Sequence, residues 1–205
     1  MTPQFPALQC SSEATLLNRL SRLKKVKGNM GHTLVARFEP KDFDSVDRCL
    51  MGWKGKTINK IPFGRNCDRE EANRILPFHM TLLHWARSAD SYMLQRMNAL
   101  SFAPVTVTVT GPDIMSAEEN SFILYFQVIP EKDFNKWRSE QEKAVDAAFS
   151  GFLHITIAVS KDQEEINQLR QLLEQKLTFP IKLRICSLEL YNIWKPVKLI
   201  RTFEE

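Results

Sequence analysis

The chain has 205 residues, 43% of them hydrophobic, which is enough for one ordinary domain or two small lobes sharing a core and excludes disorder throughout. Lys and Arg number 28 against 24 acidic residues, and the resulting charge of +4 suits an anionic ligand without the density of a dedicated duplex binder. Cys10, Cys49, Cys67 and Cys186 form neither a C-x-x-C pair nor a Cys/His cluster, and no run reaches the roughly 18 apolar residues of a membrane span, so we expect free thiols, no metal site and a soluble, cytoplasmic monomer.

In chain order, residues 11–27 read as a helix. Ser11 and Ser12 offer N-caps, Leu16, Leu17, Leu20 and Leu23 form an apolar stripe, and Gly28 stops it. This segment belongs to an N-terminal extension, residues 1–31, ahead of a single domain over 32–205. His32 to Phe38 reads as a strand, and Pro40 to Trp53 as a short helix opened by its proline. Residues 54–66 carry Gly55, Pro62 and Gly64 among Lys54, Lys56, Lys60 and Arg65, the composition of a basic exposed loop.

Two later stretches then repeat one another. Phe78 to Ala86 is strand-like and holds His79-Met80-Thr81-Leu82. A helix over about 88–100 and a strand from Phe102-Ala103-Pro104 to Val109 follow. Phe152 to Ser160 is strand-like and holds His154-Ile155-Thr156-Ile157, with a helix over about 162–175 and a strand from Phe179-Pro180 to Ile185 behind it. Laying His79 on His154 places Thr81 on Thr156, Leu94 on Leu169 and Met97 on Leu172. Each second strand turns back into another, Ser121 to Val128 and Val197 to Phe203. Between the copies, Glu131 to Phe149 reads as an amphipathic helix that buries Phe134, Trp137, Ala144, Val145 and Ala148. The pattern is α+β: two lobes, each a small antiparallel or mixed sheet with helices on its outer face and a cleft between them.

Side chains alternate along a strand, so His79 and Thr81 share one face while Met80 and Leu82 take the other. In the second copy Ile155, Ile157 and Val159 are expected on the core face, leaving His154, Thr156 and Ala158 opposite. A histidine and a hydroxyl roughly 6 to 7 Å apart can bracket a phosphate group. Two such pairs supply a base, an acid and two hydrogen-bond donors for the non-bridging oxygens, which is what opening a phosphodiester requires. Imidazole suits both proton-transfer roles, because its ordinary pKa of about 6.5 lets one copy be neutral while the other is protonated.

The two H-x-T-apolar motifs lie 75 residues apart in two similar halves, and they resemble those of the 2H phosphoesterase superfamily, in particular its 2'-5' RNA ligase and 2',3'-cyclic phosphodiesterase branch. The resemblance covers about residues 32–203. It implies a bilobal fold, two sheets related by a pseudo-twofold axis through a central cleft, with His79, Thr81, His154 and Thr156 on the floor as catalytic residues. It further implies RNA ends or small nucleotides with cyclic or 2'-5' linkages as substrates, and neither metal nor cofactor. Leu153 stands where many relatives have proline, and the basic residue often found after the second motif is represented only by Lys161. These departures bear on the subgroup.

For substrate binding the candidates are Phe78, Trp85, Tyr125, Tyr191 and Trp194 as stacking surfaces and Lys54, Lys56, Lys60 and Arg65 as phosphate contacts. His84, five residues beyond His79, is expected on the opposite face, His32 at the start of its strand, and Asp113, Glu118 and Glu119 in a solvated turn. The competing readings are a catalytically silent module of the same fold that binds nucleotides or RNA ends, and an interaction scaffold.

Overall fold

The computed structural model describes residues 31–51, 53, 78–85, 91–117, 120–192 and 198–204. The expected N-terminal helix, the basic loop with Lys54, Lys56, Lys60 and Arg65, and Glu118, Glu119 and Trp194 lie outside these residues. Seven strands are described: β1 (His32–Phe38), β2 (His79–Trp85), β3 (Val105–Ala117), β4 (Ser121–Pro130), β5 (His154–Ser160), β6 (Ile181–Asn192) and β7 (Lys198–Phe203). Four α-helices accompany them: α1 (Asp44–Met51), α2 (Ser91–Arg96), α3 (Lys132–Val145) and α4 (Gln163–Lys176). The expected 40–53 helix opens as a 3-10 turn, Pro40–Phe43, and α2 tightens into another, Met97–Ala99.

In place of two separate sheets there is one continuous sheet, in the order β1-β2-β5-β4-β3-β6-β7, with β1 also paired to β6 and every pairing antiparallel. Six strands therefore close a circuit, leaving β7 on its rim. The two halves meet at two seams. At one, β2 and β5 pair through Met80 and Ile155, each the residue after its histidine. At the other, β3 and β6 pair around Val107 and Leu183, 76 residues apart. The first seam joins residues that the 75-residue offset between the motifs makes equivalent, and the second joins residues one position off that offset.

The core follows from the period-2 pattern. Leu34, Ala36, Met80, Leu82, Leu124, Phe126, Ile155 and Ile157 are almost wholly buried against the helices, together with Ile166, Leu169 and Leu173 of α4 and Phe134, Trp137 and Val145 of α3. Ala144 and Ala148, expected in that core, are exposed, because α3 turns only one narrow face inward and ends at Val145. Its remaining buried contact is polar. Gln141 Oε1 accepts from the Ser101 backbone N–H at 2.8 Å, and the Trp137 indole donates to the Ser101 carbonyl at 3.2 Å. α4 is started by Asp162, whose carboxylate accepts from the N–H groups of Glu164 and Glu165 at 2.9 and 3.2 Å.

Each motif strand carries a bulge one residue past its threonine. Val35 pairs with Thr81 but Leu34 with Leu83, so Leu82 is the extra residue; Tyr125 pairs with Thr156 but Leu124 with Ala158, so Ile157 is. The carbonyls freed at the first bulge are used: Leu83 O accepts from Thr33 Oγ1 at 3.2 Å and Leu82 O from Ser150 N at 2.6 Å. The bulge also inverts the alternation. Ala158 is fully buried on the core face and Val159 moves to the other, the reverse of the sequence expectation.

Since the Phe134 side chain is fully buried at the helix–sheet junction, Phe134→Ala should lower unfolding stability by about 3 to 5 kcal/mol, the range for emptying a large aromatic site. Urea unfolding followed by circular dichroism measures this, and a loss under about 1 kcal/mol would contradict the packing described.

Candidate functional site

Because Met80 and Ile155 are both fully buried, the residues on either side of them point to the opposite face. The antiparallel register around that pair sets His79 beside Thr156 and Thr81 beside His154. The histidines therefore occupy diagonal corners of a four-residue patch, about 7 to 8 Å apart at the backbone, and all four side chains are half-buried.

The neighbouring strands extend this patch. On one side β1 places Arg37 opposite His79 and Val35 opposite Thr81; on the other, β4 places Tyr125 opposite Thr156 and Gln127 opposite His154. Beyond Arg37, β6 contributes Glu189, whose carboxylate lies 3.2 Å from Arg37 Nε and accepts from the Tyr191 hydroxyl at 2.6 Å. Beyond Tyr125, β3 contributes Asp113, which accepts from the Tyr125 hydroxyl at 3.0 Å.

His154 sits in an aromatic corner. The Phe152 ring stacks on the imidazole at 4.9 Å and 29°, and the Tyr125 ring meets it edge-on at 5.7 Å and 80°. Burial pushes the His154 imidazole below its ordinary pKa, and the backbone of Phe152 offsets this only in part. Its Nδ1 is buried without a well-formed hydrogen bond. Burial and the Asp113 carboxylate together push the Tyr125 hydroxyl up to about 12, so it remains a donor at neutral pH.

No protein-family model matches the chain, and no curated protein sequence does. Solved structures do. TT0787 of Thermus thermophilus superposes with a TM-score of 0.50 at 15% identity, over 85% of this chain and 97% of that one. Usb1 of Kluyveromyces marxianus, solved with uridine monophosphate, gives 0.48 at 14% identity over 86% and 98%. LigT of E. coli, complexed with 3'-AMP, gives 0.47 at 9% identity over 86% and 98%. The chain has the 2H phosphoesterase fold.

Within that 2H fold the two H-x-T motifs meet, whereas the proposed stacking residues have other places. Phe78 is buried against Phe43, their rings stacked at 4.5 Å, and belongs to the core. Tyr125 lies on the site face but is only 6% exposed, its hydroxyl occupied by Asp113, so it is a wall and offers no open stacking surface. Tyr191 is likewise buried and bonded to Glu189. Trp85 ends β2, and nothing further of its side chain is described. His84 pairs with Thr33, and the Leu82 bulge returns it to the histidine face, against expectation; it is exposed there. His32 is buried at the start of β1. Asp113 belongs to β3 and not to a turn: Gly111, at φ 142°, accommodates a bulge that lets the strand continue through Gly-Pro-Asp. Arg37, Gln127, Phe152 and Glu189 were not among the sequence candidates, although period-2 spacing on β1 and β6 could have placed Arg37 and Glu189 on the site face. Among the described residues no group of three His, Cys, Asp or Glu side chains is placed to hold a metal, and no helix is long and apolar enough to cross a membrane.

The buried imidazole of His154 has a consequence for stability. Its folded-state pKa lies below the ordinary 6.5, so as pH falls through that range the unfolded chain takes up a proton that the folded chain refuses. The stabilisation is complete above about pH 6.5 and is lost on acidification towards the folded value. His154→Gln should therefore lose less stability than the wild type between about pH 7.5 and 5.5 in urea unfolding, and identical losses would overturn the assignment.

Proposed function

We propose that this chain is a metal-independent phosphodiesterase acting on 2',3'-cyclic phosphate or 2'-5' phosphodiester bonds of RNA ends or small nucleotides. The observation that carries this reading is the Met80–Ile155 pairing, which puts both H-x-T motifs side by side on one face with their histidines at opposite corners. Displacement at phosphorus brings the nucleophile in opposite the leaving oxygen, and diagonal imidazoles can serve those two positions at once. A neutral imidazole takes a proton from water as its oxygen bonds to phosphorus. The other, protonated, gives its proton to the ribose oxygen as that P–O bond breaks, leaving a monophosphate. The two imidazoles end with exchanged protonation and are reset through solvent. Thr81 and Thr156, each beside the other motif's histidine, donate to the non-bridging oxygens where negative charge accumulates.

Replacing either His79 or His154 by alanine should reduce turnover of a 2',3'-cyclic nucleotide by about 100-fold or more, the scale of a lost general acid or base. Thr81→Val and Thr156→Val should each cost about 10- to 1,000-fold and keep a bell-shaped pH profile, because the proton-transfer groups remain. Product analysis over a panel of cyclic phosphates and 2'-5' linked dinucleotides measures these rates and identifies the substrate. Wild-type turnover by either histidine variant would sink the reading.

All the groups this mechanism uses are side chains, so activity should persist undiminished in excess chelator. Loss on chelation with recovery on adding one particular metal would place the protein in a different mechanistic class.

A further inference from the structure

We propose that Phe152, Tyr125 and Asp113 form a cage that positions the His154 imidazole for proton transfer. Three rings meet at this corner: Phe152 stacks on His154, Tyr125 stands edge-on to His154, and Tyr125 packs edge-on to Phe152 at 5.4 Å and 72°. A side chain held on two sides by rings has few rotamers left, and near-attack geometry depends on that restriction. Asp113 acts one step further back. Its Oδ2 accepts from the Tyr125 hydroxyl, while Oδ1 accepts from the Ile114 backbone N–H at 2.8 Å, so the carboxylate is itself fixed to β3.

The repeat supplies an internal comparison. The 76-residue offset that pairs Val107 with Leu183 carries Asp113 to Glu189. Glu189 also accepts from a tyrosine, Tyr191, but Val35 occupies the place across from it on β1 that Tyr125 occupies on β4. His79 faces Arg37 on that side, where His154 faces Gln127. The carboxylate position is common to both halves. The groups facing His154 are Phe152 from the preceding loop, Tyr125 and Gln127 on β4, and Thr81 with diagonal His79 on β2. Of these only Tyr125 and His79 titrate, and Asp113 is the carboxylate behind them. Burial depresses the imidazole, and the two rings are part of what buries it.

The test reads both histidines in one sample by NMR titration of the full chain, alongside steady-state kinetics; the kinetic arm rests on the phosphodiesterase reading and the NMR arm does not. Phe152→Ala should raise the His154 pKa towards 6.5 and leave His79 in place, while kcat falls about 10- to 100-fold and KM changes by less than about 2-fold. Tyr125→Phe, which keeps the ring, and Asp113→Asn should each lower kcat, and their double variant should fall no further than the stronger single variant, because Asp113 acts through Tyr125. A lowered or unmoved His154 pKa in well-folded Phe152→Ala, a rise in KM at constant kcat, or additive losses in the double variant would overturn the cage. If the wild type turns over no phosphodiester, the functional reading fails while the titration still decides the cage.

Discussion

The arrangement rests on a single backbone pairing, Met80 with Ile155, between β2 and β5. Both side chains are fully buried, so hydrophobic burial decides which way each strand faces, and the histidines one position earlier have no choice of side. A slip of one residue on either strand would send a histidine and a threonine into the core and bring two apolar side chains to the site face. Leu82 and Ile157, also buried, resist that slip in the same sense on both strands. The distance between the two candidate proton-transfer groups is thus set by core packing on the far side of the sheet.

Bulges decide the rest of the surface. The extra residues Leu82 and Ile157 fall at equivalent places in the two motif strands, and the long strands carry a second pair, at Thr110–Gly111 in β3 and at Cys186 in β6. Each bulge increases local twist and lets a strand bend, which a six-strand circuit needs in order to close. Only one of the second pair uses glycine. Gly111 adopts φ 142°, whereas the β6 bulge is built without a positive-φ residue and takes up the Cys186 thiol as a donor to the Arg37 carbonyl at 3.4 Å. By restarting the alternation out of phase, the motif bulges put Val159 and His84 on the site face and Ala158 in the core.

This explains what could be read in the sequence. The repeat, the two motifs, the order of strands and helices and the core face up to Leu82 and Ile157 were legible, because they follow from period-2 alternation in short runs. Past the motif bulges, His84, Ala158 and Val159 were assigned to the wrong face, since nothing local marks the insertion of a buried aliphatic residue. Asp113 was misread for a related reason: Gly-Pro-Asp has the composition of a turn, yet pairing with β4 on one side overrides it. Phe78 and Tyr125 were offered to a ligand because aromatic residues beside a motif invite that reading, but stacking on Phe43 and bonding to Asp113 are tertiary contacts that alternation does not reveal.

The proposed acid–base chemistry needs two histidines of unequal protonation, although both sit in the same H-x-T motif. The inequality must therefore come from what surrounds each strand. Around His154 the neighbours are two aromatic rings and the neutral Gln127; beside His79 is Arg37, its charge countered by Glu189 at 3.2 Å. The first setting disfavours a charged imidazole by excluding water. In the second, a fixed ion pair stands next to the imidazole, and its local field depends on the balance between guanidinium and carboxylate. Val35 lies opposite Thr81 and Tyr125 opposite Thr156, so an aliphatic residue in one half stands where the other half has an aromatic one.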